Sequence, residues 1–161
     1  MPSFDITCEV DRNEVKNATN QVRKELQTRF DFKGVAWEMA EEKNTITLSA
    51  ESDFKLRAVL DVLRDKLARR GVSPKNVDEG KLEISSAGRA RQVLTLKEGI
   101  PADVSKQITT ALRASGLKVQ ATVEAGKVRV SGKKRDDLQA AIAHVRGMEL
   151  PLAASFGNFR E

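Results

Sequence analysis

The chain is poor in the side chains from which most catalytic and redox centres are built. Its 161 residues include one cysteine, one histidine, one tryptophan and no tyrosine. A single cysteine excludes an internal disulfide, and one cysteine with one histidine excludes a zinc site of the usual four-ligand kind. No apolar run is long enough to cross a membrane, and the first residues do not resemble a signal peptide. We therefore expect a cytoplasmic protein with no metal, no cofactor and no membrane contact.

Motifs of the common enzyme classes are missing as well. The sequence has no phosphate-binding loop of the GxxxxGK[ST] type and no GxSxG nucleophile elbow. His144 lies one position off an apolar helical face, which is typical of a surface or structural histidine. The carboxylates Asp136 and Asp137 lie at a predicted helix start, where negative charge favours the helix dipole. These observations indicate a binding protein rather than an enzyme.

An internal repeat is the strongest pattern in what remains. At an offset of 82 residues, Ile46–Ala50 aligns with Val128–Gly132, and Leu56–Arg64 aligns with Leu138–Arg146. Apolar residues align with apolar residues over the whole interval, and the turn residue Asn44 aligns with Gly126. A register kept over this length indicates two copies of one fold.

Each copy has the element order β-α-β-β-α-β. The pattern predicts an α+β tandem of two ferredoxin-like domains, each an antiparallel four-stranded sheet with two helices on one face. We assign residues 1–87 to the first domain and residues 88–161 to the second. The first strands, 3–10 and 91–97, are equivalent in the two copies, so an exchange in which each completes the other sheet is an open alternative.

Several side chains can be placed by spacing alone. Asp11 is expected to cap the first helix, and Cys8 alternates with apolar residues as a buried strand residue does. Trp37 alternates with apolar neighbours and is expected to pack under the helices. Phe30 follows Leu26 at helical spacing and is expected in the core. A last strand is predicted over residues 152–157, with the tail beyond it.

The positive charge of the chain lies in its second half. Residues 81–161 carry a net charge of +6 and residues 1–80 a net charge of −1. This excess favours either a phosphate-bearing partner or a merely solvated basic face. The joining segment Ser85–Arg91 contains Arg89 and Arg91 beside Gly88, which suits either a cationic nest for phosphate or a linker with solvated arginines.

The side chains expected on the helix-free faces of the two sheets favour one kind of nucleotide ligand over another. RNA-recognition modules have the same element order and stack bases on aromatic residues of the central strands. The central strands here carry polar side chains on that face: Thr45, Thr47 and Ser49 in one copy, Lys127, Arg129 and Ser131 in the other. A small guanine nucleotide suits this inventory better, since arginine can read the guanine edge and bind phosphate. Nucleic acid is the alternative ligand, and a protein-interaction adaptor without nucleotide is the second alternative.

Several segments form a collinear series of blocks from one end of the chain to the other: Pro2–Ile6, Arg29–Gly34, Ser52–Leu56, Val128–Gln139, Leu150–Leu152 and Asn158–Arg160. Together these blocks resemble the YajQ family of small bacterial proteins. The resemblance implies a tandem of RNA-recognition-like domains that binds nucleotide. Family members are described as cyclic di-GMP effectors that act on transcription through a protein partner, and nucleic-acid binding has been proposed for the family.

From the residues and the resemblance together we expect a non-enzymatic regulatory protein. It would bind cyclic di-GMP and pass the signal to a transcription factor. We place the nucleotide site on the basic side of the domain junction, where concave surfaces focus potential. The candidate residues are Arg89, Arg91 and Arg129, with Asp31, Phe32 and Lys33 on a helix-to-strand loop as a second patch.

Overall fold

Two units make up the fold in the computed structural model, which describes residues 1–161. One unit is Val10–Lys97, and the other combines Met1–Glu9 with Glu98–Glu161. In chain order the elements are β1 (Ser3–Thr7), α1 (Arg12–Thr28), a 3₁₀ helix (Phe30–Phe32), β2 (Trp37–Glu41), β3 (Thr45–Ala50), α2 (Asp53–Arg69), a second 3₁₀ helix (Pro74–Asn76), β4 (Val77–Glu79), β5 (Glu83–Ile84), β6 (Ala90–Leu96), α3 (Ala102–Ala114), β7 (Gln120–Glu124), β8 (Lys127–Ser131), α4 (Arg135–Arg146) and β9 (Ser155–Arg160).

The 10–97 unit contains an antiparallel sheet of order β2-β3-β6-β4. The short strand β5 pairs with the first two residues of β6, Ala90 and Arg91. In β3 the buried residues are Ile46, Leu48 and Ala50, and the alternate positions are partly open. These buried side chains form one core with the apolar faces of α1 and α2. Both helices therefore cover one face of this sheet, and the other face carries Thr45, Thr47 and Ser49.

The second unit has an antiparallel sheet of order β7-β8-β1-β9. Strand β1 lies between β8 and β9, with Phe4 opposite Val130 and Ile6 opposite Val128. Phe4 and Ile6 are fully buried with the apolar faces of α3 and α4. The face of this sheet without helices carries the alternate residues, among them Asp5, Lys127 and Arg129.

The predicted fold class is confirmed. Two antiparallel sheets are present, and each has the strand order of a ferredoxin-like domain with its two helices on one face. Strand β1 pairs with strands of the second sequence copy, and β6 pairs with strands of the first. The continuous ranges 1–87 and 88–161 differ from the two units in the placement of these two strands.

Local expectations from the sequence are met at several positions. The Asp11 side chain accepts hydrogen bonds from the backbone of Asn13 and Glu14 and so caps α1. Cys8 is fully buried, and Trp37 packs against the core of the 10–97 unit. None of the helices combines the length and the apolar character needed to span a membrane.

The last strand lies further along the chain than predicted. It covers Ser155–Arg160 rather than residues 152–157, so the expected tail is itself part of the sheet. The pairing with β1 shifts register between Asp5 and Ser3, and Asn158 has a φ of 53° there. Asparagine tolerates this left-handed conformation better than most residues, which allows the strand to continue past the irregularity.

Candidate functional site

The segment between α1 and β2 exposes a different phenylalanine from the one expected. Helix α1 ends at Thr28, and the 3₁₀ turn that follows directs Phe32 inward and Phe30 outward. Phe30 is 84% exposed, so its predicted place in the core is wrong, and Phe32 is only 5% exposed. The Phe32 ring meets the edge of Trp37 at a centroid distance of 6.4 Å. Phe32 therefore anchors the loop in the core of the 10–97 unit, and Phe30 is the ring available at the surface.

The other two residues of the predicted loop patch differ in their availability. Asp31 accepts two hydrogen bonds from the Arg29 guanidinium, at 3.0 Å from Nε and 2.8 Å from Nη2. These bonds lower the pKa of Asp31. Lys33 makes no ion pair, and its ammonium lies 5.4 Å from the centre of the Phe30 ring. Asp31 thus fixes the loop, whereas Lys33 can reach a ligand.

A second exposed phenylalanine lies at the start of α2. Phe54 is 74% exposed, and the neighbouring Lys55 ammonium lies 5.9 Å from its ring centre. Lys55 also donates a 2.6 Å hydrogen bond to the Asp31 carbonyl and lies 5.2 Å from the Phe32 ring centre. Lys55 therefore joins the start of α2 to the loop after α1. We call Phe30, Lys33, Phe54 and Lys55 the aromatic–lysine patch.

Sequence reasoning missed Phe54 and Lys55 as site residues, although a signal was available. Phe54 follows the helix cap Ser52 by two positions and lies off the apolar face that begins at Leu56. A large apolar residue off the buried face of a helix has no packing role there, and this can be read from the helical period alone.

Arg89 and Arg91 lie beside a cavity on the helix-free face of the 10–97 sheet. The joining segment is a hydrogen-bonded hairpin rather than a flexible linker, with bonds from the Gly88 amide to the Ser85 carbonyl and from the Ser85 amide to the Arg89 carbonyl. Gly88 takes the positive φ of 85° that the turn needs. The cavity has a volume of about 430 Å³, and its polar lining comes from Glu38, Thr47, Ser49, Glu83, Ser85, Arg89 and Arg91.

The charges in this cavity are balanced and loosely paired. Nη2 of Arg89 lies 4.0 Å from Glu38, and Nη1 of Arg91 lies 4.0 Å from Glu83. Both distances exceed those of a charged hydrogen bond, and all four side chains are exposed by 45% or more. The two guanidinium groups can therefore exchange these partners for a ligand at little cost.

The aromatic–lysine patch and the arginine cavity lie at the same end of one sheet. Trp37, Ala50 and Ala90 stand in a row across β2, β3 and β6. The loop after α1 enters the sheet at that row, β3 leaves it there towards α2, and Arg89 immediately precedes it. The topology thus brings two exposed rings, two lysines and Arg89 to one end of the strands in the 10–97 sheet.

Arg129 belongs to the other unit and is held by carboxylates there. It lies on the helix-free face of β8, where its Nε is 3.0 Å from Asp5 and its Nη1 is 3.3 Å from Glu124. Asp5 also accepts bonds from Asn158 at 2.8 Å and Lys127 at 3.4 Å. Burial raises the pKa of Asp5, but hydrogen bonds from Arg129 and Asn158 and the nearby positive charges lower it to about 2.

The helix-free faces carry no aromatic ring on their central strands. The open positions of β3 are Thr45, Thr47 and Ser49, as predicted, and those of β8 are Lys127, Arg129 and Ser131. Phe4 and Phe156 pack with the helices of their unit. A base-stacking surface of the RNA-recognition type is thus absent from both central strands. No three histidine, cysteine or acidic side chains come together as a metal site.

The fold defines a tandem ferredoxin-like protein, and these surfaces are its candidate binding surfaces. Residues 2–160 match the family model described as "Nucleotide-binding protein YajQ-like", and the chain belongs to this family. A nucleotide-binding protein of Desulforamulus reducens is 48% identical over 159 residues, covering 98% of this chain and 96% of that protein.

Two further relatives match over the whole length of both chains. A nucleotide-binding protein of Anaeromyxobacter dehalogenans is 47% identical over 162 residues, and one of Trichlorobacter lovleyi is 45% identical over 161 residues. These relatives bear names of binding proteins and not of enzymes. The resemblance seen in the sequence is therefore confirmed at the level of the family.

Proposed function

We propose that this protein is a cytoplasmic, non-enzymatic nucleotide-binding regulator that binds cyclic di-GMP at the aromatic–lysine patch. The ligand-bound protein would then engage a transcription factor. The observation that carries the proposal is the presence, twice, of an exposed phenylalanine with a lysine over its ring: Phe30 with Lys33, and Phe54 with Lys55.

Exposed rings of this kind suit nucleobases. Each phenylalanine leaves most of its surface in water, and stacking of a base on such a ring contributes about 1–3 kcal/mol. The rings are held on firm supports, since Phe30 belongs to a turn fixed by the Arg29–Asp31 ion pair and Phe54 to the first turn of α2. A ligand with two bases would use both rings.

The two lysines suit the phosphates of the same ligand. Lys33 has no carboxylate partner, and Lys55 is directed to the loop by its bond to the Asp31 carbonyl. Cyclic di-GMP carries two guanines and two phosphates, which corresponds to two rings and two ammonium groups. This match favours a dinucleotide over a mononucleotide.

The arginine cavity is the second candidate contact, and it suits the edge of a guanine. Arg89 and Arg91 can donate to guanine O6 and N7, and Glu38 or Glu83 can accept from its N1–H and amino group. An adenine has an acceptor at N1 and a donor at N6, where guanine has a donor and an acceptor, so it would place its N1 lone pair against a carboxylate. Arg129 is the least available of the three candidate arginines, because Asp5 and Glu124 already bind its guanidinium.

Calorimetry with three ligands tests the proposal. We expect binding of cyclic di-GMP, with weaker binding of GTP and of a short single-stranded RNA. Tight binding of RNA without binding of cyclic di-GMP would show that the protein is a nucleic-acid-binding protein and not a cyclic di-GMP effector. Absence of binding for all three would leave the protein-interaction adaptor.

Association with a transcription factor can be measured separately from nucleotide binding. The family resemblance motivates a transcription factor as the recipient of the signal. We expect a DNA-binding regulator to associate with the protein in a manner that changes on addition of cyclic di-GMP. The change should disappear in a variant that no longer binds the nucleotide.

Removing both exposed rings should weaken binding of cyclic di-GMP about 30-fold. The Phe30→Ala, Phe54→Ala double variant loses two stacking surfaces of about 1 kcal/mol or more each. Because neither ring is buried, the free energy of unfolding should change little. Titration calorimetry measures the first quantity and urea unfolding the second.

Phe159→Ala provides the matched control for the two rings. Phe159 is 60% exposed and lies in the other unit, so its removal should leave nucleotide affinity unchanged. An affinity equal to wild type in the double variant would place the nucleotide elsewhere.

Removing the two guanidinium groups should weaken cyclic di-GMP binding about tenfold. Arg89 and Arg91 are exposed and face carboxylates, so each is expected to contribute less than a buried charged hydrogen bond would. The Arg89→Ala, Arg91→Ala variant should also lose preference for GTP over ATP. Arg57→Ala with Arg69→Ala, two exposed arginines of α2, is the control for net charge. An unchanged affinity and an unchanged base preference in the first variant would exclude the cavity from the site.

A further inference from the structure

A cavity in the second unit collects three lysines that the proposed nucleotide site does not use. It lies where β7 begins and β8 leads into α4, and its volume is about 470 Å³. The polar lining consists of Lys118, Gln120, Ser131, Lys133, Lys134 and Asp137. None of the three ammonium groups has a carboxylate within ion-pair distance. The cavity therefore has a net positive charge, since Asp137 is the one acidic residue in its lining.

Close backbone packing brings these lysines together. Gly132 is buried, and a side-chain carbon at this position would lie 3.2 Å from the Lys118 carbonyl oxygen and 3.3 Å from Val119. The loop before α4 therefore lies directly against the start of β7. Lys133 and Lys134 follow Gly132 immediately and share the cavity with Lys118 for that reason.

The internal repeat shows that the fold does not require these lysines. At the offset of 82 residues, the equivalent positions in the other copy are Ala36, Glu51 and Ser52. The strand register there is the same, with Glu38 opposite Ser49 as Gln120 is opposite Ser131. Ser52 caps α2 through the Lys55 amide, whereas α4 has Lys134 at its N-cap and no side-chain cap.

The second copy thus has three positive charges that the first lacks, and it lacks the side-chain helix cap that Ser52 provides in the first. The lysines do not improve the packing of the unit, because all three are exposed. Three ammonium groups without carboxylate partners around one cavity, beside a helix start that has no side-chain cap, provide the kind of donors that a phosphate group takes.

We propose that this cavity binds a polyphosphate chain, either free or carried by a nucleoside triphosphate. Three lysines suit the three to four negative charges of such a chain, and each ammonium can donate to a different phosphate. The site lies in the second unit and does not depend on the cyclic di-GMP proposal, which concerns residues of the 10–97 unit.

The repeat provides the test variant, in which each lysine is replaced by the residue found at the equivalent position of the other copy. Lys118→Ala, Lys133→Glu and Lys134→Ser are combined in one full-length protein. This variant should fold, because the same three residues are accommodated at the same positions of the other copy. Lys106→Gln, on the exposed side of α3, is the control for loss of a surface lysine outside the cavity.

Titration with inorganic tripolyphosphate at about 0.1 M salt measures the site directly. We expect the wild type and the Lys106→Gln variant to bind and the triple variant to lose at least tenfold in affinity. Perturbation of the Gly132 amide resonance on binding locates the ligand. Equal affinities of the wild type and the triple variant would overturn the proposal, as would absence of binding to the wild type.

Two further titrations identify the source of the polyphosphate chain. If GTP and ATP bind as tightly as tripolyphosphate and are lost equally in the triple variant, the chain alone is recognised. Tighter GTP binding that the same variant abolishes assigns the chain to a nucleotide. Binding of a short RNA at these lysines without tripolyphosphate binding contradicts the proposal in favour of a nucleic-acid contact.

Discussion

Phe4→Ala is expected to lower the free energy of unfolding by about 3–5 kcal/mol, the range found for removal of a buried phenylalanine. Phe4 is fully buried in β1, opposite Val130, with the rings of Phe156 and Phe159 at 6.2 and 5.9 Å. Strand β1 is a central strand of its sheet, although it precedes its partner residues by between 122 positions (Ile6 to Val128) and 157 positions (Ser3 to Arg160). A cavity at this point therefore weakens the pairing of β1 with β8 and with β9, and also the packing of α3 and α4 against the sheet.

Hydrogen exchange locates this effect within the molecule. We expect faster exchange at the amides of β8 and β9 in the Phe4→Ala variant, since both strands pair with β1. Urea unfolding followed by circular dichroism gives the free energy. Fluorescence of Trp37, the single tryptophan, follows the 10–97 unit separately.

Phe159→Ala is the control for ring removal in the same cluster. Its ring touches Phe4 but is 60% exposed, so the loss should stay at about 1 kcal/mol. A Phe4→Ala variant no less stable than Phe159→Ala would show that β1 is not an essential strand of this unit.

The fold class was predictable from the sequence because the repeat preserves the apolar period of every element. Residues such as Ile46 and Val128 alternate with polar neighbours, which identifies the buried face of each strand. The partners of β1 and β6 were not predictable from the same evidence. A strand has the same alternation in whichever sheet it pairs, so periodicity gives its buried face and not its neighbours.

The candidate site was predictable only in part, and Phe30 shows the reason. Its spacing from Leu26 fits a helix, but α1 ends at Thr28, and the following 3₁₀ turn reverses which phenylalanine points inward. Helix ends are the least certain feature of a periodic pattern, and a shift of two residues exchanges core and surface. The contacts of Arg129 with Asp5 and of Asp5 with Asn158 join residues more than a hundred positions apart, and no local pattern indicates them.

The lysine cavity, in contrast, could have been found by comparing the two copies. Ala36, Glu51 and Ser52 align with Lys118, Lys133 and Lys134 in the register that established the repeat. Agreement between the copies identifies the fold, and a difference in charge at equivalent positions identifies a property of the second copy that the fold does not require.

Asp5→Asn is expected to lower the free energy of unfolding at pH 7 by roughly 2 kcal/mol, because the folded state holds the pKa of Asp5 at about 2 against an ordinary value of 3.8. Asp5 is 4% exposed, and its carboxylate accepts bonds from Arg129, Asn158 and Lys127. An amide places N–H groups among these donors. The variant therefore loses both the charge and part of the hydrogen bonding.

The pH dependence of this difference has a definite sign. The folded state binds the Asp5 proton more weakly than the unfolded state, so the stabilisation is complete above about pH 4. It is lost as the pH falls from about 4 to about 2. Urea unfolding of both proteins between pH 7 and pH 2.5 should show the difference decreasing in that interval. Other carboxylates titrate in both proteins and largely cancel in the difference.

Glu124→Gln separates Asp5 from the charge cluster around it. Glu124 pairs with the same two cations, at 3.5 Å from Lys127 and 3.3 Å from Arg129, but its side chain is 35% exposed. Solvent screening should keep its contribution below about 1 kcal/mol. If Glu124→Gln destabilises as much as Asp5→Asn, the stability resides in the surface charges of the cluster. If only Asp5→Asn destabilises, and does so only above pH 4, the buried carboxylate holds β1, β8 and β9 together, since its three donors come from the two neighbouring strands.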